Sequence, residues 1–164
     1  MKNFDWTQFT QRIVINSSME KVYSAWTITS QIEAWFLSKA RIQSENDVIV
    51  VTTNAYKSGD IYSWNWFCYE PSETGKILEA NGKDFFQFTF AGDTKVEVKL
   101  SMLKDQVVVT LTQSEIPLDD ASKRGIRLGC YNGWAFYLVN LKAWLENGVD
   151  LRNKDPELAP VVNG

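Results

Sequence analysis

Histidine is absent from this chain of 164 residues, and cysteine occurs only twice, at Cys68 and Cys130. Histidine is the commonest general base and metal ligand, so its absence excludes histidine-based triads and lowers the expectation of catalysis. The cysteines form neither a CxxC pair nor a disulfide framework, and no cation or helix end is evident that would activate Cys68. We therefore predict no catalytic residue, no metal site and no cofactor.

Long apolar runs and concentrated charge are also missing. No stretch approaches the roughly 18 consecutive apolar residues of a membrane span, and the N-terminal MKNFDWTQFTQ lacks the apolar core of a signal peptide. The 17 Lys and Arg residues are scattered and the net charge is −3, so nucleic-acid binding is not expected. Together with the free thiols, these absences favour a cytoplasmic protein.

The chain is long enough to bury a core, and its hydrophobic content of 45% is ordinary for a globular protein. We assign residues 1–152 to one domain and predict that residues 153–164 are a loose tail or lie over the surface. Residues 9–16 alternate as a half-buried strand, and the serines at 17–18 offer a helix N-cap. Two short amphipathic helices follow, with Trp26 on the first and Trp35 and Phe36 on the second.

Between residues 40 and 115 apolar residues recur at every second position, which predicts an antiparallel meander. The predicted strands are VIVVTT (48–53), IYSWNWFCY (61–69), KILEA (76–80), FFQFTF (85–90), VEVKLSML (96–103) and VVVTLTQS (107–114). The predicted turns are SEND (44–47), KSGD (57–60), SETG (72–75), ANGKD (80–84), AGD (91–93) and LKDQ (103–106). Several strands have one apolar face, so the sheet is expected to pack on one side only.

A helix of roughly 25 residues is predicted at the C-terminal end of the domain. Asp119 or Asp120 is suited to cap its start, and Gly148 its end. Gly125, Gly129 and Gly133 recur every fourth residue within it, although each glycine costs about 1 kcal/mol relative to alanine. Either the helix approaches the sheet closely along this glycine stripe, or the stripe leaves space.

This helix is the only predicted element large enough to cover the apolar face of the sheet. The fold class is therefore α+β. The expected architecture is a curved antiparallel sheet around a long C-terminal helix, with two short helices after the first strand.

Several segments with this order resemble a known family. They are VYSAWT (22–27), IEAWF (32–36), GDIYSWNW (59–66), GKILEAN (75–81), FQFTF (86–90), VVVTLTQS (107–114) and GWAFYLVNLKAWLENGVDLR (133–152). The chain is similar to the START-like (SRPBCC) helix-grip superfamily, and more narrowly to the activator of heat-shock-protein-90 ATPase homologue family. The resemblance implies the helix-grip fold, an apolar cavity between sheet and helix, and a chaperone as one conceivable partner.

Aromatic residues supply the candidate ligand-binding site, because Trp and Tyr combine a large apolar area with a polar tip. For each of them, packing in the core is the alternative to a place in the wall of a pocket. The candidates are Trp26, Trp35, Phe36, Tyr62, Trp64, Trp66, Phe88, Trp134 and Tyr137.

Three functions follow from these observations. The first is non-enzymatic binding of an apolar small molecule between the sheet and the C-terminal helix. The alternatives are a protein-interaction module, such as a chaperone ATPase activator, and a cyclase- or hydrolase-type enzyme. The enzyme is the least expected, since no carboxylate pair is placed for acid–base work. The sequence leaves open whether the protein is a monomer or a homodimer.

Overall fold

The computed structural model describes residues 4–43, 49–50 and 55–163. Eight strands lie within these residues: β1 (Phe9–Ile15), β2 (Lys39–Gln43), β3 (Ile49–Val50), β4 (Ile61–Trp66), β5 (Tyr69–Ala80), β6 (Phe85–Phe90), β7 (Thr94–Leu103) and β8 (Gln106–Ser114). Two short helices, α1 (Met19–Thr27) and α2 (Thr29–Trp35), follow β1. The C-terminal helix consists of α3 (Asp120–Ser122), a π-helical segment (Lys123–Leu128) and α4 (Gly129–Asn147), and a 3-10 turn (Pro156–Leu158) lies beyond it.

The strands form one sheet in the order β1-β8-β7-β6-β5-β4-β2-β3, and each pair of neighbours is antiparallel. Strand β1 returns to pair with the last strand, β8, from Phe9↔Gln113 to Ile15↔Val107. The long helix and the two short helices cover the inner face of this sheet. The predicted α+β helix-grip architecture is confirmed.

The ends of the helices are formed as their sequences predict. Ser18 caps α1, because its hydroxyl accepts a hydrogen bond from the backbone N–H of Lys21 at 3.3 Å. Asp119 caps α3 by accepting from the N–H of Ser122 at 2.9 Å. Gly148 ends α4 with φ of 67°, a left-handed conformation that glycine adopts without a steric penalty.

Several details of the meander differ from the prediction. The predicted turn at 72–75 is wrong, because these residues lie inside β5. The predicted strand 61–69 ends at Trp66, and residues 67–68 turn the chain so that Trp66 pairs with Tyr69. Strand β2 was not predicted. The predicted turn at 44–47 lies outside the described residues, as does most of the predicted strand 48–53, of which only Ile49–Val50 is described.

The core follows the period-two pattern of the strands. On β7, Val96, Val98 and Leu100 are buried, whereas Lys99 on the opposite face is exposed. They join one cluster with the inner faces of β6 and β8 and with the apolar stripe of α4. Burial of this apolar face against the helix is the main stabilising contribution to such a fold.

None of the helices in the described part of the chain is long and apolar enough to cross a membrane.

Candidate functional site

A cavity of about 570 Å³ lies between the β4–β5 and β6–β7 turns and the N-terminal half of the C-terminal helix. It is open to solvent on one side, where Tyr69 is 59% exposed. The residues that line it are Phe36, Trp66, Cys68, Tyr69, Glu73, Phe90, Ala91, Gly125, Gly129, Cys130, Gly133, Trp134, Tyr137, Ala159, Pro160 and Val161.

The glycine stripe forms the helix side of this cavity. A Cβ atom added at Gly125 or Gly133 would meet nothing within 4 Å, and one at Gly129 only the carbonyl oxygen of Arg124 at 3.8 Å. The stripe therefore leaves space, and it does not serve a close approach of helix and sheet. The π-helical segment brings Gly125 into line with the two glycines of α4 along the same cavity.

Six aromatic rings form most of the wall, and Phe36 is central among them. Trp134 stacks on Phe36 with ring centroids 5.1 Å apart, and Tyr137 meets Phe36 edge-on at 4.8 Å. Trp66 also meets Phe36 edge-on, at 5.5 Å, and Phe90 lies 5.2 Å from Trp134. These rings hold one another in place, so the wall is formed without a ligand.

A buried chain of hydrogen bonds fixes the orientation of Trp134. Its indole Nε1–H donates to the side-chain carbonyl of Gln113 at 3.0 Å, and the Gln113 amide donates to the hydroxyl of Thr94 at 2.8 Å. Thr94 in turn donates to the carbonyl of Phe90. The indole N–H of Trp134 is satisfied by Gln113, so Trp134 presents only an apolar surface to the cavity.

Glu73 is the one carboxylate among the described lining residues. It pairs with Trp64 across β4 and β5, so both side chains project from the inner face of the sheet. Its Oε1 accepts from the N–H of Ala91 at 2.8 Å, at the turn between β6 and β7. Burial raises the pKa of Glu73, although the backbone N–H groups of Ala91 and Gly92 oppose the shift.

Cys130 and Tyr137, two other ionisable groups of the wall, stay neutral near pH 7. Burial raises the pKa of the Cys130 thiol to about 11 and that of the Tyr137 hydroxyl to about 12. The Cys130 thiol therefore has almost no thiolate character at neutral pH. Within the described residues, no group of three or more Cys, Asp or Glu side chains is placed to hold a metal ion.

The nine aromatic residues singled out in the sequence divide into two sets. Four of them, Phe36, Trp66, Trp134 and Tyr137, line the cavity. The other five are fully buried in the adjoining core and are not among the lining residues: Trp26, Trp35, Tyr62, Trp64 and Phe88.

Glu73, Tyr69 and Phe90 line the cavity but were not predicted as site residues. Glu73 lay in a segment predicted as a turn, and continuing the alternation of β5 back from the buried Ile77 would have placed Glu73 on the inner face. By the same alternation Phe90 follows Phe88 on the inner face of β6, so the sequence pattern was sufficient to predict the position of Phe90.

The C-terminal tail contributes the last part of the wall. The N–H of Asn153 donates to the carbonyl of Asn163 at 2.6 Å, and the Asn163 amide donates to the carbonyl of Leu151 at 2.8 Å. These bonds close residues 151–163 into a loop, and Asn153 joins this loop to the body of the protein through hydrogen bonds with the Cys68 thiol. Ala159, Pro160 and Val161 consequently lie beside the mouth of the cavity.

Comparisons with known proteins agree with this architecture. A crystal structure of a Staphylococcus saprophyticus protein is 19% identical, with a TM-score of 0.69 and coverage of 88% of this chain and 96% of that one. The solution structure of the Aha1 dimer from Colwellia psychrerythraea is 21% identical, with a TM-score of 0.66 and coverage of 86% and 97%. DynU16, from the dynemicin biosynthetic locus, is 14% identical, with a TM-score of 0.67 and coverage of 90% and 50%.

At these identities the structures establish a shared fold, and the family rests on the sequence itself. No curated protein matches the chain. The family described as Activator of Hsp90 ATPase homolog 1-like protein matches residues 16–146, which is most of the sequence. The chain therefore belongs to the family of activator of Hsp90 ATPase homolog 1-like proteins.

Proposed function

We propose that this protein binds an apolar small molecule between strands β4–β6 and the C-terminal helix, without transforming it chemically. The observation that carries the proposal is the open space along the glycine stripe, which faces six aromatic rings. A volume of about 570 Å³ falls within the range of small-molecule sites, roughly 300–1,000 Å³.

The energetics of the stripe support a role in binding. Three glycines within one helix cost about 1 kcal/mol each relative to alanine. Close packing does not offset this cost, because the positions where Gly125 and Gly133 would carry side chains are open. A cavity that accepts a ligand accounts for residues that weaken the helix without improving its packing.

The chemistry of the wall supports binding rather than catalysis. Cys130 has a pKa of about 11, so it is a protonated thiol at neutral pH and a poor nucleophile. Glu73 has no second carboxylate beside it among the lining residues, so the usual division into general acid and general base is not available. The wall can hold and orient a ligand.

The proposal is tested by filling the cavity from the helix side. N-phenyl-1-naphthylamine is an uncharged probe whose fluorescence rises in apolar sites, and the wild-type protein should bind it at one site. Gly133→Leu adds a side chain that points into the open space and should abolish this binding. Gly133→Ala adds a single methyl group and should retain it.

A second control separates the cavity from the rest of the helix surface. Asn132 neighbours Gly133, is exposed and does not line the cavity, so Asn132→Leu should bind the probe as the wild type does. If the wild type binds no probe, or if Gly133→Leu binds it as tightly as the wild type, the proposed function is wrong.

The family match supports a second candidate, stimulation of a chaperone ATPase. It is distinguished by measuring the ATPase rate of a heat-shock-protein-90-type chaperone with and without this protein. Gly133→Leu should leave any stimulation unchanged, since the substitution acts inside the cavity.

Compartment and assembly complete the proposal. The free thiols Cys68 and Cys130 support a reducing, cytoplasmic compartment. The dimer of the Colwellia psychrerythraea protein supports a homodimer as the alternative to a monomer. A native mass spectrum of the purified protein measures its oligomeric state directly and also detects any ligand that purifies with it.

A further inference from the structure

The charge of the cavity wall is unbalanced. Glu73 is the only charged side chain among the described residues that line it, and no Lys or Arg accompanies it. The remaining wall consists mainly of aromatic rings and of the small or apolar surfaces of the helix and the tail. A ligand that leaves Glu73 unpaired would remove water from a carboxylate without replacing it, which is unfavourable.

We propose that the ligand is an aromatic or polycyclic molecule that carries a protonated amine, and that Glu73 binds the amine. This inference rests on the proposed binding function and names the chemical class of the ligand. The aromatic body lies against the rings around Phe36, and the ammonium group lies at the end of the cavity where β5 meets the β6–β7 turn.

The setting of Glu73 suits this role because the carboxylate is held in position before a ligand arrives. The N–H of Ala91 donates to Oε1 at 2.8 Å, and the nearby N–H of Gly92 also favours the charged carboxylate. Both amides belong to a tight turn in which Ala91 and Gly92 have positive φ values of 52° and 82°. A carboxylate accepts about four hydrogen bonds, so capacity remains for a donor on the ligand.

Aromatic walls add a second preference for a cation. The faces of Trp, Tyr and Phe rings carry partial negative charge and attract ammonium groups within about 6 Å. Trp66, Phe90 and Trp134 line the cavity together with Glu73. The same wall disfavours a carboxylic acid, whose negative charge would meet Glu73 with no cation to offset the repulsion.

Three probes that share one ring system separate these cases. They are 2-(aminomethyl)naphthalene, 2-naphthalenemethanol and 2-naphthoic acid, which place an ammonium, a hydroxyl or a carboxylate on the same apolar body. Displacement of N-phenyl-1-naphthylamine from the wild-type protein at pH 7 gives the three affinities. The amine should bind at least about ten-fold more tightly than the alcohol, and the acid should bind most weakly of the three.

Substitution of the carboxylate then assigns the preference to one residue. Glu73→Gln removes the charge and keeps an oxygen that accepts from the Ala91 amide. It should weaken the amine about ten-fold or more, leave the alcohol within about two-fold and strengthen the acid. The matched control is Glu79→Gln, because Glu79 is an exposed carboxylate on the same strand that does not line the cavity.

The outcomes distinguish the two levels of the proposal. Failure of the wild type to bind N-phenyl-1-naphthylamine would overturn the binding function itself. Retained binding of that probe with equal affinities for amine and alcohol would overturn the amine assignment alone. The assignment would also be wrong if Glu73→Gln and Glu79→Gln weakened the amine equally, whereas a loss confined to Glu73→Gln supports it. Binding of N-phenyl-1-naphthylamine by Glu73→Gln verifies that this variant folds.

Discussion

The guanidinium of Arg152 joins the end of the C-terminal helix region to the end of helix α2. Its side chain is only 3% exposed and forms a two-pronged pair with Asp150, with both N···O distances 2.8 Å. It also donates to three backbone carbonyls at distances of 2.9–3.0 Å, those of Glu33, Ala34 and Leu37. The carbonyls of Glu33 and Ala34 lie in the last turn of α2, and the carbonyl of Leu37 lies just beyond the helix. Carbonyl groups at the C-terminal end of a helix have no donor within the helix, so Arg152 supplies the donors that they need.

Replacement of Arg152 by methionine keeps an apolar stem and removes all five hydrogen bonds. The carboxylate of Asp150, 16% exposed, then loses its main partner, and three carbonyls lose their donor. Removal of one member of a buried ion pair costs about 3–5 kcal/mol, because the other charge stays buried without compensation. For a chain of this size the melting temperature should fall by roughly 6–20 °C.

The assay is urea unfolding at pH 7, followed by tryptophan fluorescence. The matched control is Lys154→Met, because Lys154 also pairs with Asp150, at 3.0 Å, but is 54% exposed. An exposed pair contributes about 0–1 kcal/mol, so the control should change the free energy of unfolding only slightly. If Arg152→Met costs no more than Lys154→Met, the reasoning that this buried fork anchors α2 is refuted.

The same pair predicts a dependence on pH. Burial opposes ionisation of Asp150, but hydrogen bonds from Arg152 and Lys154 outweigh burial and hold the pKa of Asp150 well below its usual value of 3.8. A carboxyl with a lowered pKa in the folded state adds stability above its unfolded pKa, and this stability is lost as the pH falls. The difference in unfolding free energy between wild type and Arg152→Met should therefore shrink below about pH 4. A constant difference from pH 7 to pH 2 would contradict this account.

Two further predictions concern glycine and cysteine. A Cβ atom at Gly75 would lie 2.5 Å from the hydroxyl oxygen of the buried Tyr62, so Gly75→Ala should cost about 1–3 kcal/mol in urea unfolding. Gly133→Ala, where the added Cβ meets open space, should instead stabilise by up to about 1 kcal/mol, and equal effects would contradict the assignment. Cys130, with its pKa raised to about 11 by burial, should react with iodoacetamide at pH 8 far more slowly than glutathione does. Peptide mass mapping measures this rate, and a rate equal to that of glutathione would show that the thiol is accessible and ionised.

The sheet was predictable where its local pattern and its buried face coincide. Between residues 95 and 100 strand β7 alternates between charged and apolar residues, so the buried Val96 and Val98 follow from sequence alone. Segment 72–75 has the composition of a turn but extends β5, because β4 supplies partners such as Ser63↔Thr74 and Tyr62↔Gly75. Cross-strand pairing is a non-local interaction, and in this segment it overrides the turn preference of Ser, Thr and Gly.

The candidate site was only partly predictable for a related reason. Alternation places Tyr62, Trp64 and Trp66 on one face of β4, but it does not show how far along the strand the helix packs. In the structure Tyr62 and Trp64 lie fully within the core, whereas Trp66, at the end of the strand, is half-buried and lines the cavity. The boundary between core and cavity depends on where the side chains of α4 give way to glycine, and this position is set by tertiary packing.

Helix α4 is both the closing element of the core and one wall of the cavity. On its C-terminal side, Leu138 and Leu141 are buried in the core, and Asn140 donates to the carbonyl of Trp35 at 2.6 Å. On its N-terminal side, Gly129 and Gly133 present only backbone to an open space. Because the two functions occupy different turns, a side chain added at Gly133 can block the cavity while the Leu138–Leu141 contacts and the Arg152 anchor remain intact. Ligand binding and fold stability should therefore be separable by mutation in this protein, although the same helix supports both.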